Sequence, residues 1–169
     1  MNNAGDAIGD DFDAADDAAW AFTFGLILFS SIRLIRLSLP HMKKQRWGRI
    51  VNVSSIWGRE YGPALTYVTA KAALIAFSKT LAVELADSGI TVNTVAPGSI
   101  EFPGGVWHEF RESNPPDIVE NFIAQNLPMG RFGWPEPIGE LIAFLCSEKA
   151  DLITGASIGI DGGQARSLI

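Results

Sequence analysis

Apolar positions along the chain fall into short runs separated by polar and glycine- or proline-rich stretches, and the runs differ in period. Ile50, Val51 and Val53 form a β-branched run that predicts a strand over residues 49–54. A second such run predicts a strand over residues 91–96, stopped by Pro97 and Gly98. A third, over residues 157–160, precedes Asp161, Gly162 and Gly163. Between the runs the pattern lengthens to the helical period. Asp13 or Asp16 caps a predicted helix that reaches about Met42, with Pro40 near its end. A second helix spans residues 67–86 and stops near Gly89. A third spans residues 136–147 and starts near Pro135 or Pro137. Strands alternating with helices imply right-handed crossovers and a parallel sheet, an α/β fold. Residues 98–129 read as less regular, with Pro103, Gly104, Gly105, Pro115 and Pro116 interleaved with Phe102, Trp107, Phe110 and Phe122. They form either a mobile flap over an apolar substrate or an excursion tied down by its own aromatics.

Composition narrows the class. The 169 residues are 47% hydrophobic and 19% charged, as in a globular chain of one domain. A net charge of −6 argues against nucleic-acid binding. Six Asp lie in residues 6–17 and six Lys or Arg in residues 33–49, which reads as solvated helix ends. Cys146, the only cysteine, sits in an apolar helix, so a buried thiol in a reducing compartment is expected. Residues 18–32 carry no charge, a run shorter than the ~20 residues of a membrane span. A helix buried on two sides, by the sheet and by a partner subunit, is the expectation. His41 and His108 stand apart from any carboxylate or Cys cluster at metal-ligand spacing and read as surface residues. Trp57, beside Gly58 and near Ser55, either lines a substrate pocket or packs.

The candidate chemistry is Tyr67 and Lys71, four apart and hence on one helix face. A phenol ionises near pH ~10, and a fixed ammonium beside it favours the phenolate. Ser55 lies where the first strand ends and could hydrogen-bond a substrate carbonyl beside that phenol. Ser54 is the alternative for that role.

Ordered blocks extend these residues across the chain: Asn2, Asn3, Ala4 and Gly5; residues 48–55 with Gly58; Tyr67 to Lys71 with Ala72, Ala73 and Leu74; residues 81–85; residues 89–93; Pro97, Gly98, Ser99 and Ile100; and residues 153–155 with Asp161, Gly162 and Gly163. In these blocks the chain resembles the short-chain dehydrogenase/reductase family, in its 3-oxoacyl-carrier-protein-reductase-like branch. The resemblance implies part of a Rossmann-like parallel sheet, its C-terminal strands only, flanked by helices. It also implies an NAD(P)-dependent oxidoreductase acting on a small carbonyl or alcohol. Tyr67 would be the general acid/base and Ser55 the carbonyl-orienting hydroxyl. Lys71 would lower the Tyr pKa and bind the nicotinamide ribose. Asn3, Ala4, Gly5, Tyr67, Lys71, Pro97, Gly98 and Ile100 would contact NAD or NADP, and residues 98–129 would be the substrate loop. A cytoplasmic homo-oligomer is implied, joined through helices at residues 20–42 and 67–85.

Three departures qualify the resemblance. The family opens with a strand, a glycine-rich turn and a helix that hold the dinucleotide phosphates. Met1 here stands at the end of the family's fourth strand. A mis-called start at a valine codon, a gene fragment or a pseudogene would account for that. Ile27 occupies the family's Asn position, whose water links the Lys to solvent, although Gly25 could still kink the helix and free a carbonyl. Glu101 and Phe102 stand where a cofactor-contacting Thr is common. A catalytically inactive, self-associating remnant, or half of a split enzyme, is therefore the alternative to an active oxidoreductase.

Overall fold

The computed structural model describes residues 1–6, 8–9 and 11–168, so Asp10 of the acidic run lies outside the described residues. Strands β1 (Gly48–Val53), β2 (Ile90–Pro97) and β3 (Ser157–Ile160) form a parallel sheet in that order. Gly48 pairs with Ile90 and Val53 with Val95, while Thr94 pairs with Ser157. The chain crosses between strands through α3 (Leu65–Leu85) and α6 (Pro135–Leu145), which pack on opposite faces. Ile50, Ile90 and Val92 meet Leu81 and Leu85 of α3 on one face. Val51, Val53 and Val95 meet Leu145 of α6 on the other. A strand covered on both sides has no reason to alternate, which is why β1 and β2 are apolar almost throughout.

The first helical stretch comprises α1 (Asp17–Phe24), a π-helical segment (Gly25–Phe29) and α2 (Ser30–Gln45). Of the two candidate caps, Asp16 is the one used: its carboxylate accepts from the Ala19 amide at 2.8 Å. Ala19, Thr23, Ile27, Ser31 and Ile35 are buried, one every four residues. A regular α-helix drifts about 40° for each four-residue step, and the wider π turn takes up part of that drift. Pro40 lies within the last two turns of α2, and the helix continues three residues past Met42 to Gln45. It stops where Arg46 turns left-handed, at φ 52°. Gly89 closes the neighbouring turn at φ 72°, and a Cβ there would stand 2.2 Å from the Arg46 carbonyl oxygen. Asp17–Gln45 is long and apolar enough, by length and composition, to cross a membrane. Its apolar stripe here lies against the sheet and α3.

The segment expected to be less regular is helical. It holds α4 (Val106–Ser113) and α5 (Pro116–Asn126). Its glycines and prolines precede the helices instead of interrupting them: Gly105 is the cap of α4 and Pro116 opens α5. Val119, Leu127 and Phe132, with Trp107, Phe110 and Phe122, form a small core of their own. Cys146 is half-buried, not fully buried, because it caps α6 at the rim of the Val51 cluster.

β1 borders the sheet. Its even-numbered side faces β2, as the bonds from Gly48 to Gly89 and from Ser54 to Val95 show. Its odd-numbered side is met by Asn2 alone, which donates to Val51 O at 2.9 Å and accepts from Val53 N at 2.8 Å. The Arg49 amide and carbonyl and the Val51 amide face outward without a sheet partner among the described residues. Unpaired groups on an apolar edge template further pairing. The 169-residue chain is therefore expected to self-associate at micromolar concentration. Sedimentation showing a concentration-independent monomer with a sharp, cooperative melt would contradict this.

Candidate active site

Ser55 leaves the carboxyl end of β1 in an extended conformation and its hydroxyl accepts from the Trp57 amide at 3.2 Å, opening a 3-10 turn over Ile56–Gly58. Gly58 lets this turn press against α3: a Cβ there would stand 2.7 Å from Ser54 Oγ and 2.9 Å from the Lys71 carbonyl. Helix α3 is preceded by Ala64, a non-glycine held at φ 61°. That conformation costs about 1–2 kcal/mol and persists because the surrounding structure enforces it. Tyr67 lies in the first turn and Lys71 one turn on. The structure brings Ser55, Tyr67 and Lys71 together. The Ser55 hydroxyl is near enough to the Tyr67 phenol to favour its ionised form, and the Lys71 ammonium sits 5.4 Å from the Tyr67 ring centre. Lys71 Nζ donates to the Val53 carbonyl at 2.8 Å. Ser54 is occupied elsewhere: its hydroxyl donates to the Lys71 carbonyl at 3.0 Å.

The electrostatics differ from the expectation that Lys71 lowers the Tyr67 pKa. Burial holds the Tyr67 pKa above the usual phenol value, and the Ser55 hydroxyl offsets only part of this. Lys71 is 3% exposed, and burial brings its ammonium down to about 8. The physical reason is shared desolvation: both charged forms are disfavoured in the same dry junction.

The remaining predicted residues lie around this centre. Asn3, Ala4 and Gly5 are exposed on the segment after Asn2. A Cβ on Gly5 would reach 3.2 Å from Lys71 Nζ. Pro97 ends β2 and Gly98 follows it. Ile100 bridges Gly133, but the bonds of that bridge run through Ser99 O and Glu101 N. The amide and carbonyl of Ile100 itself are left open among the described residues. Ile27 is fully buried against Ala70 and Leu74, with Tyr67 beside them. The π segment begins at Gly25, where a kink was expected, yet the Ile27 carbonyl accepts from Ser31 Oγ at 2.9 Å. Glu101 is clamped by Arg111 through two bonds of 2.6 and 2.8 Å, which keep its carboxyl below the usual range. His108 lies 3.4 Å from Glu112 and 4.0 Å from Glu101, and His41 is exposed.

Several polar residues beside the site were not singled out from sequence. Asn52 accepts from Asn2 at 2.7 Å and donates to Ser78 at 2.8 Å, tying the N-terminal segment to α3. Asn93 holds Ile153 and Ala156 in the approach to β3. Gln164 bonds both the amide and the hydroxyl of Ser99. Glu60 accepts from the Arg166 and Ser167 amides. An Asn within a β-branched run is itself a signal, since a buried amide needs partners. Gln164 and Glu60 carry no such signal.

The Lys71 ammonium yields a pH test. The unfolded chain holds this proton up to pH ~10.4, whereas the folded chain releases it near about 8. Between those values the unfolded state binds more protons, so stability rises with pH. It falls again as pH drops toward 8, where the burial penalty of the charge is complete. Denaturant melts of the native chain should gain about 3 kcal/mol across this window relative to Lys71→Met. Parallel pH profiles for the two proteins would show that Lys71 is not desolvated.

The profile described as enoyl-(acyl carrier protein) reductase matches residues 1–165. The 3-oxoacyl-acyl-carrier-protein reductase FabG of Thermotoga maritima is 41% identical over 145 residues, covering 85% of this chain and 56% of that protein. Its counterpart from Escherichia coli is 37% identical over 165 residues, covering 97% and 65%. The chain thus spans less than two thirds of the length of these relatives. The crystal structure of YwfH, an NADPH-dependent reductase involved in bacilysin biosynthesis, superposes with a TM-score of 0.89 at 34% identity, over 99% of this chain and 66% of that one. The chain belongs to the short-chain dehydrogenase/reductase family and is similar to its 3-oxoacyl-acyl-carrier-protein reductases.

Proposed function

We propose that this chain carries the acid/base half of an NAD(P)-dependent oxidoreductase acting on a small carbonyl or hydroxyl compound. The observation that carries the reading is the convergence of Ser55, Tyr67 and Lys71 at the carboxyl end of β1. Ligand sites of open parallel sheets lie there. The nicotinamide, when bound, supplies or accepts the hydride. Ser55 donates to the substrate oxygen and orients it. Tyr67, a phenol whose pKa burial pushes further up, is protonated at neutral pH and serves as the acid that quenches the developing alkoxide. In the oxidative direction it takes that proton back. Lys71, charged below about 8, stabilises the phenolate left after transfer. With Ile27 in place of an amide, no side chain at that position passes a proton onward to Lys71.

NAD or NADP would be held by Asn3, Ala4 and Gly5 near Lys71, by Tyr67 and Lys71, and by Pro97, Gly98 and Ile100. The open amide and carbonyl of Ile100 match the acceptor and donor of a primary carboxamide. That observation supports a fit at the nicotinamide end. The 169 residues contain no glycine-rich turn for the pyrophosphate. Exposed Phe22, Phe29, Leu34, Leu37 and Val83 support an oligomer built through α1, α2 and α3. The open β1 edge favours a second reading, a self-associating chain without turnover or half of a split enzyme.

The 169-residue chain alone should bind NADH and NADPH weakly and reduce ketones negligibly, since phosphate anchoring supplies much of the orientation that catalysis needs. A version extended with the residues preceding the matched region in the Escherichia coli reductase should oxidise the reduced cofactor with a ketone. Tyr67→Phe in that version should lose at least about a hundredfold in rate. Equal rates with and without the Tyr67 hydroxyl would remove it from the mechanism.

A further inference from the structure

At the turn that follows Ser55 lies a cavity of about 560 Å³, within the range of small-molecule sites, lined by Ile56 and Trp57 of that turn but not by Ser55 or Tyr67. One wall is Trp57 and Tyr61, and the other is Trp107 and Phe122 of the α4 and α5 helices. Trp57 and the opposite wall are held, whereas Tyr61 is exposed. The Trp57 indole stands edge-on to the Tyr67 ring, centroids 6.4 Å apart at 78°. Its other side is pressed by Gly62, where a Cβ would come 2.4 Å from indole Cδ1 and 2.5 Å from Cγ. Opposite, Trp107 and Phe122 pack at 4.9 Å and 33°, each braced by Phe132. Polar groups stand among the lining residues as Asn126, Gln164, Glu60 and Arg166. Glu60 also anchors the C-terminal tail along the cavity, accepting from the Arg166 and Ser167 amides at 2.6 and 2.9 Å.

We infer that this cavity takes ring-bearing ketones and alcohols in preference to flexible straight-chain ones, and that Trp57 is the residue that sets the preference. The inference rests on the oxidoreductase reading and names its substrate class. Rigid aromatic walls reward a flat ligand, because ring pairs gain from offset or edge-on contact beyond the area they bury. A flat ligand also arrives with few rotors to freeze, whereas an alkyl chain loses many. Trp57 lines the cavity and also contacts the Tyr67 ring, so it links a ring seated in the cavity to the candidate site. Gly62 is the positioning residue, since any side chain there displaces the indole.

The test compares two ketones of equal carbon number, 1-tetralone and 2-decanone, by calorimetry on the 169-residue chain. Area burial alone favours the decanone, which is the more apolar. The expected result is that 1-tetralone binds about fivefold tighter. Trp57→Ala should abolish the preference, and Gly62→Ala should abolish it with Trp57 still present. If Trp57→Ala fails to fold by circular dichroism, Trp57→Leu replaces it and the Gly62→Ala result stands alone. Equal affinities, tighter binding of 2-decanone, a preference that survives these substitutions, or no binding of either ketone would overturn the inference. A ring preference in binding, with no turnover in the extended protein, leaves this inference standing and sinks the oxidoreductase reading. Turnover with no ring preference does the reverse.

Discussion

A buried ammonium ties this structure together. Lys71 is nearly inaccessible, and among the described residues its ammonium hydrogen-bonds only the Val53 carbonyl at the last residue of β1. The tie is returned from the strand side, where Ser54 Oγ donates to the Lys71 carbonyl. These two bonds lock the end of β1 to the second turn of α3, and Gly58 gives them room. A lone buried charge is costly, and one hydrogen bond offsets only part of the cost, so the ammonium releases its proton near about 8. The same dryness raises the Tyr67 pKa. Packing and acid/base character are therefore one constraint. Moving α3 outward would solvate Lys71 and separate Ser55 from Tyr67 together.

The sheet supports this junction through amides buried in its plane. Asn52 and Asn93 are fully buried in otherwise apolar strands, and each is satisfied by chain distant in sequence. An unpaired buried amide would cost more than the bond it forgoes, so these residues specify which segments meet. Asn52 places the segment carrying Asn3 to Gly5 next to Lys71. Asn93 places the approach to β3.

The α4 and α5 region follows a different logic. Its core is aromatic and nearly separate from the sheet, so the unit holds its shape through ring contacts of its own. The bidentate Arg111 pair on Glu101 fastens α4 to the segment leaving β2. At the position where the resemblance implied a cofactor-contacting Thr, this chain has instead an ion pair between two of its own segments.

By itself the sequence determined the α/β alternation, the three parallel strands to within a residue or two at most ends, and the residues that form the candidate site. It could do so because strand burial, the four-residue helix spacing and proline–glycine stops are local effects. Tertiary structure decided the rest. The Tyr67 pKa direction depends on how much water the closed junction admits, which no spacing encodes. Helix α2 runs three residues beyond Met42 to Gln45, where Arg46 turns left-handed, and Leu39 and Met42 on either side of Pro40 pack on the core. Pro115 and Pro116 read as breakers in isolation, but they open α5 once Trp107 and Phe122 have an aromatic core to join. Whether Trp57 lined a pocket or packed was open in the sequence. It packs on the Tyr67 ring and also lines a cavity, because Gly62, Tyr67 and the α4–α5 unit arrive around it from separate parts of the chain.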